Sequence, residues 1–182
     1  MTREICFYPN PILRRKSQEV KTFDRHLRQL VEDMFETMEL EGGVGFAAPQ
    51  IGISERVLVI DLKAGPQTRL VVINPQLEMS GRSSKGTEGC LSIPGISAAV
   101  TRPSHVRVEG FDVKGKSFEL EADGLMARAL QHEVDHLDGI FFIDRLSSVE
   151  RSLMAGKLRR FEKDFASGQK PQRILEKTES LL

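Results

Sequence analysis

The chain has 182 residues, 40% of them hydrophobic and 29% charged, which fits one globular domain large enough to bury a core. Lysine plus arginine equals aspartate plus glutamate, 26 of each, so the charge gives no support for a direct nucleic-acid role. No stretch approaches the roughly 20 apolar residues of a membrane helix, and the N-terminus MTREICFYPNPILRRKS reads neither as a signal peptide nor as a transit peptide, so the expected location is the cytoplasm.

The two cysteines, Cys6 and Cys90, stand in no paired spacing. That argues against a secreted disulfide scaffold and leaves a metal or catalytic role open. Residues 1–20 read as an irregular arm broken at Pro9, Asn10 and Pro11, with Leu13 and Val20 as anchors. A first helix is expected over 24–40, because Leu27, Leu30, Val31, Met34, Phe35 and Met38 recur at three- and four-residue steps. Thr22 or Asp24 could cap it. A Gly-rich turn, Gly43-Val44-Gly45-Phe46-Ala47-Ala48-Pro49-Gln50, follows and lacks the ending of a P-loop. Residues 56–62 and 69–73 read as an antiparallel pair joined at Gly65-Pro66. Asn74-Pro75 should end the second strand, 76–80 could begin another, and 81–87 reads as a polar loop. After Glu88-Gly89-Cys90-Leu91-Ser92 a turn is expected at Pro94-Gly95, then a second antiparallel pair near 105–112 and 116–121.

A second helix, opening at Asp123 or Gly124 and running to about 138, carries Gln131-His132-Glu133-Val134-Asp135-His136-Leu137-Asp138-Gly139. His132 and His136 are four residues apart, so a helix sets them one turn apart on one face, where both imidazoles can close on one divalent ion. Glu133 then stands beside the ion without ligating it, the place of a general base. Gly139 supplies a left-handed stop. Residues 140–143 (IFFI) read as a strand or a buried crossing segment. Ser147 and Glu150 have capping-box spacing for a last helix near 148–165, with Lys157, Arg159, Arg160 and Lys163 as a basic cluster among acids. The expected architecture is α+β: short antiparallel strands around a central metal-binding helix, with helices at both ends. One domain spans 1–166, and the polar tail 167–182 is expected to be mobile.

The metal motif needs a third ligand. The extended zinc-protease pattern would place a histidine at position 142, where this chain has Phe142; Glu150 could serve in another protease type. Cys90 is the better candidate, and two imidazoles plus one thiolate leave a tetrahedral position open. For a closed site the remaining soft candidates are Cys6, His26 and His105, none at a suggestive spacing; His26 reads as a surface residue and His105 as structural.

Three motifs occur in order: Gly43-x-Gly45-x-Ala47-Ala48-x-Gln50, Glu88-Gly89-Cys90-Leu91-Ser92, and Gln131-His132-Glu133-x-x-His136-Leu137-x-Gly139. Together they resemble the bacterial-type peptide deformylases, from the Pro-containing arm to the last helix, with Phe46 where an aliphatic leucine is common. The resemblance implies a metal held by Cys90, His132 and His136, Fe2+ in the cell with Zn2+, Ni2+ or Co2+ able to replace it. It implies hydrolysis of the N-formyl group from the initiator methionine of nascent polypeptides, releasing formate. Glu133 would be general base and then acid, while the Gln50 side chain and the Leu91 backbone N–H donate to the oxyanion. Substrate would lie extended along Gly43, Val44 and Gly45, its methionine side chain in an apolar pocket bordered by Val44, Glu88 and His132, with Gly89 close by. Alternative readings are a metalloprotease cleaving internal peptide bonds and a ribosome-associated protein with a structural metal. The ribosome is also a partner for the deformylase reading, through the basic last helix.

Overall fold

The computed structural model describes residues 1–63 and 69–168. Among them are the helices α1 (Arg25–Leu40), α2 (Gly124–Leu137) and α3 (Ser148–Ala166). The strands are β1 (Gly45–Ala47), β2 (Val57–Asp61), β3 (Arg69–Cys90), β4 (Ile93–Phe111) and β5 (Ser117–Asp123). The α+β expectation holds. All five strands form one antiparallel sheet in the order β1-β2-β3-β4-β5.

Alternation along the strands sorts the core into layers. Val57 and Val59 point to one face of the sheet and pack with Leu27, Leu30, Val31, Met34, Phe35 and Met38 of α1. Leu58 and Ile60 point to the other face and pack with Ala127, Leu130 and Leu137 of α2. A third cluster gathers Leu13, Ile93, Val100, Phe141, Phe142 and Leu158 under the hairpin tip and α3. The central helix is therefore held between the sheet and its own C-terminal crossing.

The helix signals read from the sequence are met. The Asp24 side chain accepts from the Leu27 N–H at 3.0 Å and caps α1. Ser147 accepts from Glu150 N–H while Glu150 accepts from Ser147 N–H at 3.0 Å, the reciprocal box at the start of α3. Gly139 takes φ +74 after α2. Leu13 and Val20 are buried as anchors.

The strand boundaries differ, and bulges are the reason. Asn74-Pro75 does not end β3. Asn74 adopts φ +52, and the pairing of β3 with β4 shifts between Ile73 and Gln76, so an extra residue is absorbed and the strand continues. The Asn74 side chain holds the kink by accepting from Val20 N–H and donating to Val20 O, each at 2.9 Å. A second shift lies between Ser80 and Ser83, beside Gly81 at φ +78. The polar run 81–87 is thus strand rather than loop. Cys90 pairs with Ile93, so the hairpin turns at Leu91-Ser92, and Pro94-Gly95 lies within β4. Residues 140–143 form a buried crossing: Phe142–Arg145 is a short 3-10 helix, with Phe141, Phe142 and Ile143 buried. The Gly65-Pro66 turn and residues 169–182 of the tail lie outside the described residues.

Candidate metal centre

Two elements meet at one point. Cys90 ends β3 at the hairpin, and His132 and His136 project from α2 one turn apart, ring centroids 5.0 Å from each other. Their ligand atoms all lie within 4.8 Å of one another, the one such group of three among the described residues. Cys90 Sγ is 3.1 Å from His136 Nε2. His132 Nδ1 is 3.0 Å from Glu88 Oε2, which leaves Nε2 free to ligate, the usual outer-shell arrangement of a metal-binding imidazole. A soft thiolate and two imidazoles at this spacing suit a divalent transition metal.

Glu133 is 4% exposed, and its Oε2 is buried with no hydrogen-bond partner among the described residues. An orphan carboxylate oxygen beside three ligand atoms has the placement a proton acceptor for a ligated water needs, so the residues present fit the ion. Burial pushes the Glu133 carboxyl up to about 7; the nearby Glu88 and Asp135 charges add to this, opposed by His132 and Arg102. Burial opposes charge on His132, but its contacts with Cys90 and Glu88 outweigh this and raise it. Burial and the neighbouring His132 and Arg102 lower His136.

Gln50 belongs to a short 3-10 helix, Ala48–Ile51, directly after β1. Its amide oxygen accepts from Ala47 N–H at 2.8 Å, which turns the amide nitrogen toward Ser92 Oγ at 3.3 Å and Cys90 Sγ at 3.7 Å. Leu91 sits at the hairpin tip beside Cys90, and its Cδ1 would be 2.9 Å from a Cβ at Gly43. A Cβ at Gly45 would lie 2.4 Å from Glu133 Oε1. Glycine is required there because β1 runs against the carboxylate. Gly89 has looser surroundings, with the nearest atom 3.8 Å from its imagined Cβ.

The structure assigns Glu88 a task the sequence did not disclose. Its side chain is 4% exposed. Oε1 accepts from Arg102 Nε at 2.6 Å and Arg128 Nη1 at 2.7 Å; Oε2 accepts from Arg102 Nη2 at 2.9 Å and faces His132 Nδ1 at 3.0 Å. A carboxylate has about four lone-pair sites, and all four are taken. Burial opposes ionisation, but His132 and Arg102 outweigh it and hold Glu88 well below the usual carboxylate range. Arg102 also donates to Asp135 at 2.9 Å, and Asp135 accepts from Arg145. The chain Arg145–Asp135–Arg102–Glu88–His132 therefore runs from the surface to a candidate ligand. Of its members only Glu88 and His132 were singled out from the sequence. Asp135 has no role assigned by the helical motif, and the buried Arg102, in a β4 segment to which the sequence assigns no element, offers no local signal.

The other candidates fall away from the centre. His105 faces Asp123 at 2.9 Å, and His26 is exposed. Phe142, at the extended-protease position, stacks at 6.1 Å from His132, and Glu150 caps α3 while pairing with Lys85. No helix among the described residues is long and apolar enough to cross a membrane.

The polypeptide deformylase family model matches residues 2–152. A peptide deformylase of Acidobacterium capsulatum is 44% identical over 166 residues, covering 90% of this chain and 97% of that protein. One of Mesorhizobium japonicum is 46% identical over 169 residues, covering 91% and 96%. Among solved structures, a peptide deformylase of Legionella pneumophila matches with a TM-score of 0.83 at 41% identity, over 94% of this chain and all of that one. A peptide deformylase of Plasmodium falciparum matches with a TM-score of 0.87 at 38% identity, over 92% and 100%. With a match across most of its length and its three motifs folded around one cluster of metal-binding side chains, the chain belongs to the polypeptide deformylase family.

Proposed function

We propose that this chain removes the N-formyl group from the initiator methionine of nascent polypeptides, releasing formate. The observation that carries the reading is Glu133, a buried carboxylate with an unpartnered oxygen, set beside Cys90, His132 and His136. A divalent ion held by those three residues would act as a Lewis acid and lower the pKa of water, to about 7 in well-studied zinc sites. Glu133 takes the proton at Oε2 and returns it to the leaving amine. Gln50 Nε2 and the Leu91 backbone N–H donate to the developing oxyanion; the Ala47 contact fixes which end of the amide Gln50 presents.

The substrate backbone adds to the sheet along Gly43, Val44 and Gly45. Support comes from β1 being an edge strand, with Asp61 N–H donating to Val44 O on its inner side. Glu88 borders the side-chain pocket, but with its acceptor sites filled it orients His132 and takes no hydrogen bond from substrate. Fe2+ is our reading of the cellular ion, with Zn2+, Ni2+ or Co2+ able to occupy the same mixed ligand set. The substrate places the enzyme in the cytoplasm, near the ribosome. Lys157, Arg159, Arg160 and Lys163 on α3 are exposed and are the contact we assign to it; charge reversal at Arg159 and Arg160 with unchanged ribosome affinity would remove that assignment. No finding supports the protease alternative.

The test is formate release from a short N-formyl-methionyl peptide, with the protein purified without oxygen and its metal content measured. Release that vanishes in Glu133→Ala supports the reading. A metal-loaded sample that releases no formate but cleaves unformylated peptides refutes it.

A further inference from the structure

The face of α2 that carries His132 and His136 extends toward the helix start through Ala129 and Arg128 to Leu125. Leu125, Arg128 and His132 are each partly exposed, whereas Ala127, Leu130 and Gln131 on the other faces are buried. Arg128 therefore lies one turn before His132 on the partly exposed face of α2. On the facing strand, β3 presents Ser84, Gly86 and Glu88. A Cβ at Gly86 would lie 2.9 Å from Arg128 Cζ, so a missing side chain on β3 is what lets the guanidinium lie against the strand.

Arg128 Nη1 donates to Glu88 Oε1 at 2.7 Å and to Val100 O at 3.0 Å, with a longer contact to Gly86 O at 3.5 Å; Nη2 donates to Ser84 O at 3.0 Å. A guanidinium has five N–H groups. The Nε–H and one Nη2–H have no partner among the described residues, and the side chain is 15% exposed. Next to Glu88 and His132, two residues expected to border the methionine pocket, the fold thus sets a guanidinium with donors to spare, its charge paired with Glu88.

We propose that Arg128 is a specificity-determining residue that donates a hydrogen bond to an acceptor on the substrate's first side chain, so that this chain processes N-formyl-methionine sulfoxide as well as N-formyl-methionine. The inference rests on the deformylase reading and deepens it. A thioether sulfur is a weak acceptor, whereas oxidation makes the same side chain polar. An apolar pocket would penalise the added oxygen by desolvation. A free guanidinium N–H offsets that penalty with a charge-assisted hydrogen bond.

The test is formate release by the metal-loaded full chain from two peptides, N-formyl-Met-Ala-Ser and its sulfoxide counterpart. The reading is the ratio of the two kcat/KM values within one preparation, which cancels the active fraction. In the wild type the sulfoxide should be turned over within a few-fold of the sulfide. In Arg128→Leu the ratio should shift toward the sulfide by about 10-fold or more, the worth of a hydrogen bond to a charged group. Arg128→Met, flexible enough to fill the same space, should show the same shift if the leucine variant fails to fold. Arg128→Lys should restore part of the wild-type ratio. A ratio in the apolar variants equal to the wild type's overturns the inference while leaving the deformylase reading intact. No formate from either peptide with the wild type overturns that reading, and the inference with it.

Discussion

Replacing Arg102 by leucine isolates the buried charge network from the ligands it supports. Arg102 is 5% exposed and bridges Glu88, 4% exposed, and Asp135, 9% exposed. Removing one member of a buried ion pair costs about 3–5 kcal/mol, because the partner stays buried and uncompensated. Here Glu88 keeps Arg128 and His132, and Asp135 keeps Arg145, so the lower end applies. At about 2–4 °C per kcal/mol for a chain of this size, the melting temperature should fall by about 6–12 °C. His132 should also be less firmly oriented, weakening metal binding by about 10- to 100-fold, as for other outer-shell partners. Thermal unfolding by circular dichroism and metal competition against a chelator measure the two effects. Adding Glu88→Gln to Arg102→Leu should recover part of the stability but none of the metal affinity, since it removes the stranded charge and keeps the orienting group weakened. A single variant that melts within about 2 °C of the wild type and holds metal equally well would refute the network's role.

Gly45→Ala places a methyl 2.4 Å from Glu133 Oε1 and must displace the carboxylate; about a 100-fold loss of turnover is expected, and unchanged kinetics in a well-folded variant would contradict the assigned position of the base. Gln50→Ala removes an oxyanion donor and should lower kcat by about 100- to 1000-fold with little change in KM; a change confined to KM would make Gln50 a binding residue instead. At low pH, burial alone would raise Asp33, but the Met1 ammonium, Gln29 and Arg3 outweigh it and hold it at about 2, below its ordinary value of 3.8. A depressed carboxylate contributes stability that is present above its unfolded pKa and lost as pH falls through its folded one, so this contribution fades between 3.8 and about 2. Glu88, also depressed, acts in the same direction. Asp33→Asn should be less stable at neutral pH and show a shallower acid limb in urea titrations; an acid limb parallel to the wild type's would refute the linkage.

The readings that succeeded from sequence alone rest on local periodicity. His132 and His136 share a face because four residues nearly complete a helical turn. The stripe from Leu27 to Met38, the Asp24 cap and the Ser147–Glu150 box are fixed within a few residues of themselves. Three short motifs sufficed to indicate the family. Tertiary structure decided what depends on partners distant in the chain. Asn74-Pro75 looks like a strand end, yet Val20, 54 residues away, supplies the hydrogen bonds that turn it into a bulge. Glu88 reads from the sequence as a border of the pocket, but only the packing of Arg102 from β4 and of Arg128 and His132 from α2 fills its acceptor sites. A hydrogen-bonding capacity belongs to the residue, but whether it is spent inside the fold or left for substrate depends on groups brought together only when strand and helix pack.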